Sequence, residues 1–164
     1  MNINVNGLSI AISGIEIVRD VSFNIPDKSL TCVIGPNGSG KSTILKAIAQ
    51  EITGYTGYIS GTKLGELSYL PQNLESPSFL TVFDVARTGF FGQFIAKEEE
   101  CASTNELLYQ CGVYPVRKRN FADISAGEQQ RTWLAFALAQ SRDLILMDEP
   151  LSSVDLLSKR GFYE

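Results

Sequence analysis

The segment that decides the fold is Gly35-Pro36-Asn37-Gly38-Ser39-Gly40-Lys41-Ser42, which fits the pattern G-x-x-x-x-G-K-[ST]. It follows an apolar run at residues 30–34 and precedes residues 42–51, whose apolar side chains recur at helical spacing. We therefore expect a strand buried on both faces of a parallel sheet, then a loop, then a helix. A glycine-rich turn with a surface lysine would require neither flanking element, so that alternative is disfavoured.

The chemistry of this loop is phosphate binding. Its glycines allow backbone N–H groups to close around phosphate oxygens, and the following helix N-terminus adds a favourable dipole. Lys41 would reach the β- and γ-phosphates as a catalytic cation, and the Ser42 hydroxyl would ligate Mg²⁺. The predicted nucleotide contacts are Gly35, Pro36, Asn37, Gly38, Ser39, Gly40, Lys41, Ser42 and Thr43.

A second motif combines an apolar run with two acidic residues. Leu144–Met147 predicts another buried parallel strand, and Asp148 and Glu149 follow it directly. Ligand sites of α/β proteins form at the carboxyl ends of such strands. Asp148 is suited to hold Mg²⁺, and Glu149 is suited to polarise a water for attack on the γ-phosphorus. Alone, the pair could equally end an ordinary strand; with the phosphate loop upstream, an ATPase or GTPase is favoured.

Further motifs resemble those of ATP-binding-cassette (ABC) proteins. Ser125-Ala126-Gly127-Glu128-Gln129 resembles the family's L-S-G-G-Q signature, and Gln72 in Tyr-Leu-Pro-Gln matches its Q-loop glutamine. Residues 151–155 resemble the D-loop, with Asp155 as its aspartate, and Pro150 completes the family's D-E-P. The motifs occur in the family's order and cover residues 3–158, so the chain is identified as resembling an ABC transporter ATPase.

The resemblance implies an α/β fold: a P-loop NTPase core, an N-terminal antiparallel β region, and a helical subdomain insertion, with the final strands of the cassette missing. One partial ATPase domain would span residues 1–164, with 1–73 and 141–164 as the nucleotide-binding core and 74–140 as the helical signature subdomain. The resemblance also implies an ATPase that uses ATP and Mg²⁺. Its catalytic residues would be Glu149, Lys41 and Gln72, and its metal ligands Ser42, Gln72 and Asp148. Ser125, Gly127 and Asp155 would contact nucleotide across a head-to-tail homodimer.

The sequence departs from the family pattern in three places. The signature reads S-A-G-E in place of S-G-G-Q. The position of the adenine-stacking aromatic falls at Ile12 or Ser13, so the base would rest on an apolar contact at most. The chain contains no histidine, whereas the family has a switch histidine on a strand between the two buried runs. We therefore expect a C-terminally truncated ATPase, or a strand supplied from elsewhere, with residues 30–34 and 144–147 facing a gap.

Composition narrows the function classes. The 164 residues carry 14 basic and 18 acidic side chains, a net charge of −4 that argues against nucleic acid as a partner. Three cysteines argue against a disulfide framework, and the lack of histidine excludes Ser-His-Asp and Cys-His catalysis. No apolar run approaches the roughly 20 residues of a transmembrane helix, and no signal peptide is evident. We expect a cytoplasmic protein, peripheral on the inner face of the cell membrane.

The functional prediction is the ATP-hydrolysing subunit of a membrane transporter, working with separate transmembrane permease subunits. Residues 81–85 (Thr-Val-Phe-Asp-Val) resemble importers of metal ions or iron–siderophore complexes. Phe90, Phe91 and Phe94 are candidates for the permease contact, or for the subdomain's own core. Two alternatives remain: a soluble ABC ATPase of the iron–sulfur assembly type, and a truncated chain that binds nucleotide poorly and is not catalytic.

Overall fold

The N-terminal part of the molecule is a three-stranded antiparallel sheet. The computed structural model describes residues 2–62, 65–72, 74, 77–140 and 142–148. Strands β1 (Ile3–Ile12), β2 (Ile15–Ile25) and β3 (Tyr55–Ser60) are arranged in the order β2-β1-β3. Ser13 and Gly14, with φ of 52° and 79°, form the two-residue turn between β1 and β2. Both positive φ values suit the right-handed twist of a hairpin, so this turn sets the register.

A helix and two parallel strands belong to the same compact unit as this sheet. Helix α1 spans Lys41–Ile48, and strands β4 (Leu67–Leu70) and β5 (Leu144–Met147) pair in parallel. One hydrophobic core joins them to the antiparallel sheet: Ile3, Val5, Leu8 and Ile10 of β1 and Val18 of β2 pack with Ile44, Ala47 and Ile48 of α1 and with Leu146 of β5. The helix predicted after the phosphate loop and the strand predicted at Leu144–Met147 are confirmed as α1 and β5.

The predicted buried strand at residues 30–34 is wrong. This segment has no regular secondary structure, and Leu30 and Ile34 are 77% and 91% exposed. A parallel strand requires a hydrogen-bonded neighbour, and no strand among the described residues pairs with this segment. Strand β5 likewise has a single partner, β4, within the described ranges. The expectation that residues 30–34 and 144–147 lack a strand between them agrees with this exposure, because an unpaired apolar run has nothing to be buried against.

The remaining residues form a helical unit. Helices α2 (Val82–Arg87), α3 (Lys97–Gln110) and α4 (Ala126–Ala139) pack together with three short 3₁₀ turns at Thr88–Phe90, Tyr114–Val116 and Phe121–Asp123. The core of this unit includes Val82, Val85, Leu108, Val113, Phe121 and Ala135. By contact density the described chain divides into two compact units, residues 2–71 with 143–148 and residues 72–142.

Aromatic residues before α3 remain outside this core. Phe91 is 93% exposed and Phe94 is fully exposed, so they are not part of the core, whereas Phe90 is partly buried. No helix in the described part of the chain is both long and apolar enough to cross a bilayer.

Selective alkylation of cysteines is expected to report the exposure of residues 30–34. Cys32 is exposed, whereas Cys111 is buried, and burial raises the pKa of the Cys111 thiol to about 11. With that pKa, about one Cys111 thiol in a thousand is ionised at about pH 8, and the thiolate is the reactive form. Iodoacetamide should therefore modify Cys32 first in the native chain, as measured by peptide mass spectrometry. In denaturant all three cysteines should react. Protection of Cys32 equal to that of Cys111 would show that residues 30–34 are buried.

Candidate functional site

The phosphate loop is anchored to the antiparallel sheet through Gly40. This residue precedes α1 with φ of 90°, in the left-handed region that favours glycine. A Cβ at Gly40 would lie 3.0 Å from Cγ2 of Val18 and 3.2 Å from the carbonyl oxygen of Ile17, both on β2. Conformation and close approach therefore both require glycine here. This contact with β2 fixes the position of the N-terminus of α1 and of the amides in its first turn.

The side chain of Lys41 folds back over the loop. Its Nζ donates hydrogen bonds to the carbonyl oxygens of Gly35, at 3.0 Å, and Pro36, at 2.9 Å. The N–H of Ser39 donates to the Pro36 carbonyl oxygen at 3.2 Å, which closes the turn. A Cβ at Gly35 would lie only 2.8 Å from Oγ of Ser39. The loop is thus a compact backbone cradle with one cation above it, and this arrangement fits a phosphate group.

Asp148 lies at the carboxyl end of β5, where it is 7% exposed. Its N–H donates to the Leu70 carbonyl oxygen at 3.0 Å, continuing the β4–β5 ladder by one residue. Because side chains alternate along a strand, Asp148 shares a face with Leu146, which belongs to the same hydrophobic core as Ile44 and Ile48 of α1. The structure therefore brings α1 and the Asp148 carboxylate to one face of the parallel strands.

The electrostatics around Asp148 extend to Tyr69 on β4. Burial raises the pKa of the Tyr69 hydroxyl to about 12, and the negative charges of Asp148 and Glu51 contribute to the increase. Tyr69 therefore stays protonated at physiological pH and adds no negative charge beside Asp148.

The donor set suits a magnesium ion that is shared with a nucleotide. The described residues contain no group of three or more His, Cys, Asp or Glu side chains that could hold a metal. Magnesium prefers six oxygen ligands and is commonly held by one or two protein oxygens together with substrate phosphates and water. Ser42 in the first turn of α1 and Asp148 supply a hydroxyl and a carboxylate. These residues fit Mg²⁺ bound with phosphate, and they do not form a self-sufficient metal cage.

The signature segment forms the N-terminus of α4 in the helical unit. Ser125 is the N-cap residue, and it forms a reciprocal capping box with Glu128. The Ser125 N–H and hydroxyl both donate to Oε2 of Glu128, at 2.9 and 2.8 Å, and the Glu128 N–H donates to Oγ of Ser125 at 3.4 Å. Gly127 lies in the first helical turn, whose amides and dipole favour an anion.

The other predicted site residues are placed less completely. Gln72 is exposed and follows Pro71 directly after β4. Glu149 and Asp155 lie outside the described residues. Ser13 occupies the hairpin turn, and Ile12 beside it is 46% exposed.

Sequence reasoning overlooked two exposed isoleucines on β2, one of which lies beside the phosphate loop. Ile15 is 67% exposed and Ile17 is 36% exposed, and the carbonyl oxygen of Ile17 approaches Gly40. The signal was available, because the two isoleucines alternate immediately after the Ser13-Gly14 turn. Together with Ile12 they give this hairpin an apolar surface of the kind that a nucleobase can contact.

Comparison with known sequences gives one family. The profile of the family described as ABC transporter matches residues 18–152. The iron(3+)-hydroxamate import ATP-binding protein FhuC of Bacillus subtilis is 36% identical over 155 residues, which are 85% of this chain and 58% of FhuC. The zinc import ATP-binding protein ZnuC of Ehrlichia ruminantium is 30% identical over 162 residues, 99% of this chain and 66% of ZnuC.

A solved structure has the same fold. A metal-chelate type ABC transporter in an inward-facing conformation superposes with a TM-score of 0.83 and 26% sequence identity, over 98% of this chain and 64% of that one. The chain therefore spans roughly three fifths to two thirds of the length of these relatives. The likeness covers both the antiparallel strands with the phosphate loop and the helical unit.

Proposed function

Because this chain belongs to the ABC transporter family, we propose that it acts as the ATP-binding and ATP-hydrolysing subunit of an importer for metal ions or metal chelates. The observation that carries the proposal is the phosphate loop with Lys41 folded over the Gly35 and Pro36 carbonyls. The importer assignment is supported by the relatives, which are named for iron(3+)-hydroxamate and zinc import. The two relatives named above do not support a soluble iron–sulfur assembly role.

In the proposed site, different residues bind the phosphates, hold the metal ion, accept a proton and contact the base. The loop amides and Lys41 bind the β- and γ-phosphates and offset their charge. The Ser42 hydroxyl and the Asp148 carboxylate hold Mg²⁺, which when bound neutralises charge developing on the phosphates. Glu149 would accept a proton from the attacking water, and Gln72 would be a further Mg²⁺ ligand. The exposed isoleucines of the hairpin contact the base through apolar surface.

A complete site is proposed to form between two copies of this chain. The amides and hydroxyl at the N-terminus of α4 form an anion-binding end, which supports Ser125 and Gly127 as contacts to a γ-phosphate held by the other copy. Asp155 would lie at the same dimer interface. In this arrangement residues 1–73 and 141–164 form the nucleotide-binding core, and residues 74–140 form the helical signature subdomain.

The proposed membrane partners are separate permease subunits. Phe91 and Phe94 support this part of the proposal, because two neighbouring aromatic side chains are left fully in solvent. A permease segment that covered them would hold the chain peripherally at the cytoplasmic face of the membrane. Nucleic acid is not a proposed partner, given the net charge of −4.

A thermal melt with and without Mg-ATP is expected to show nucleotide binding. At a Mg-ATP concentration of about 100 times Kd, the folded chain should gain about 2.7 kcal/mol in its free energy of unfolding. The cooperative transition should therefore move to higher temperature. ATP with excess EDTA should give a smaller shift, because Ser42 and Asp148 then have no ion to share with the phosphates.

Two outcomes would contradict the proposal. A cooperative transition that Mg-ATP leaves unmoved would mean that the phosphate loop does not bind nucleotide. A broad transition in both conditions would mean that the exposed residues 30–34 leave this chain without a stable core. Either result would favour the alternative of a chain that binds nucleotide poorly.

A further inference from the structure

The hydroxyl group of Ser125 is already engaged within its own helix. A serine hydroxyl carries one proton, and in this structure it donates to Oε2 of Glu128 at 2.8 Å. The same oxygen accepts the Ser125 backbone N–H at 2.9 Å. Ser125 cannot use this proton to bind any other anion without first releasing Glu128.

The Glu128 carboxylate is a strong competitor for that proton. The hydrogen bonds from the Ser125 N–H and hydroxyl hold the pKa of Glu128 below its usual range, so the side chain is ionised at neutral pH. An ionised carboxylate and a phosphate oxygen are both acceptors without a proton, and one O–H cannot serve both. The carboxylate also adds a negative charge at the helix end where the phosphate would bind.

We propose that Glu128 is a positioning residue that withholds the Ser125 hydroxyl from the γ-phosphate and so weakens the nucleotide-bound dimer. This inference rests on the proposed function, in which Ser125 meets a phosphate held by a second copy of the chain. Glu128 stabilises α4 through the capping box, and the same contacts oppose closure of the dimer. Each closure has to exchange the Ser125–Glu128 hydrogen bond for a Ser125–phosphate hydrogen bond.

The substitution Glu128→Gln should remove the competition and preserve the cap. The amide carbonyl of the new side chain can still accept the Ser125 N–H, while its NH₂ group can donate to Oγ of Ser125. The serine proton is then free to donate to phosphate. The substitution also removes the negative charge, so the change of charge has to be separated from the release of the hydroxyl.

The test measures the dimer dissociation constant by sedimentation, with Mg²⁺ and a non-hydrolysable ATP analogue in excess. Glu128→Gln is expected to tighten the dimer at least about tenfold, because each of its two equivalent sites gains a charge-assisted hydrogen bond to phosphate. The same substitution made together with Ser125→Ala should gain much less, because only the removal of charge remains. This double-mutant cycle isolates the contribution of the Ser125 hydroxyl to the affinity of the dimer. A purely structural role of Glu128 would give the same gain with and without that hydroxyl.

The outcomes separate this inference from the function on which it rests. Nucleotide binding by each variant is measured first, as a thermal shift. If the chains bind the nucleotide but the parent and the Glu128→Gln variant have equal dimer dissociation constants, the inference is overturned and the ATP-binding function stands. It is also overturned if the gain is the same with and without the Ser125 hydroxyl, or if both chains stay monomeric. Without any thermal shift, the proposed function and this inference both fail.

Discussion

Replacing Lys41 with alanine is expected to weaken Mg-ATP binding by about 10- to 150-fold, since hydrogen bonds to charged groups contribute about 1.5–3 kcal/mol. Nζ of Lys41 is the cation above the phosphate loop, 3.0 Å from the Gly35 carbonyl oxygen and 2.9 Å from that of Pro36. Its removal leaves the first-turn amides of α1 as the binding groups. Isothermal titration calorimetry of both chains with Mg-ATP measures the ratio of the dissociation constants.

The matched control is Lys46→Ala. Lys46 lies on the same helix, in its last turn, away from the phosphate loop. This substitution removes an equal charge and an equal side chain, so it tests whether the net charge of the protein alone accounts for the loss. We expect its dissociation constant to stay within about twofold of the parent, since Lys46 is at the end of α1 opposite the phosphate loop and salt screens its charge. Equal losses for the two variants would mean that Lys41 does not contact nucleotide.

Local patterns in the sequence were sufficient for some elements. Helical spacing predicted α1, and a short apolar run before two acidic residues predicted β5. The Ser125–Glu128 capping box is a feature of the same local kind, because both partners lie within one turn of each other. Such features depend on contacts between residues that are close in the chain, and these can be read from one sequence.

The buried strand at residues 30–34 could not be predicted in this way. An apolar run is buried as a strand only when another strand supplies its hydrogen bonds, and that partner is distant in sequence. Composition therefore indicated a strand where the described chain offers no neighbour. The same reasoning applies to Phe91 and Phe94. Their apolar character is compatible with a core or a surface position, and the structure shows both side chains in solvent.

The candidate site was predictable in its parts and not in its assembly. The phosphate loop and Asp148 were proposed as site residues from motifs, because the chemistry of each requires particular residues at short spacing. That α1 and Asp148 share one face of the parallel strands follows from the hydrophobic core that contains Ile44, Ile48 and Leu146, which no motif encodes. The competition between Glu128 and a phosphate for the Ser125 proton depends on hydrogen-bond distances, so it required coordinates.

Truncating Phe121 to alanine is expected to cost the helical unit about 3–5 kcal/mol, the range for large aromatic side chains removed from a core. Phe121 is fully buried, and its ring meets Trp133 of α4 edge to face at 5.3 Å. Its N–H donates to the Leu80 carbonyl oxygen at 2.8 Å, and its carbonyl oxygen accepts Nε2 of Gln129 at 3.0 Å. The residue thus ties the segment before α2 to the helix that carries the signature.

The measurement is urea unfolding followed by tryptophan fluorescence, because Trp133 is the single tryptophan of the chain and contacts Phe121. Phe94→Ala is the matched control: it removes the same atoms from a fully exposed position in the same unit, and we expect a change within about 0.5 kcal/mol. A loss of several kcal/mol is a large share of the roughly 5–15 kcal/mol that stabilises a typical domain. Phe121→Ala would therefore leave α4 poorly held and the Ser125 end of that helix unable to present its amides. Similar unfolding curves for the two variants would show that the Phe121–Trp133 contact does not organise the helical unit.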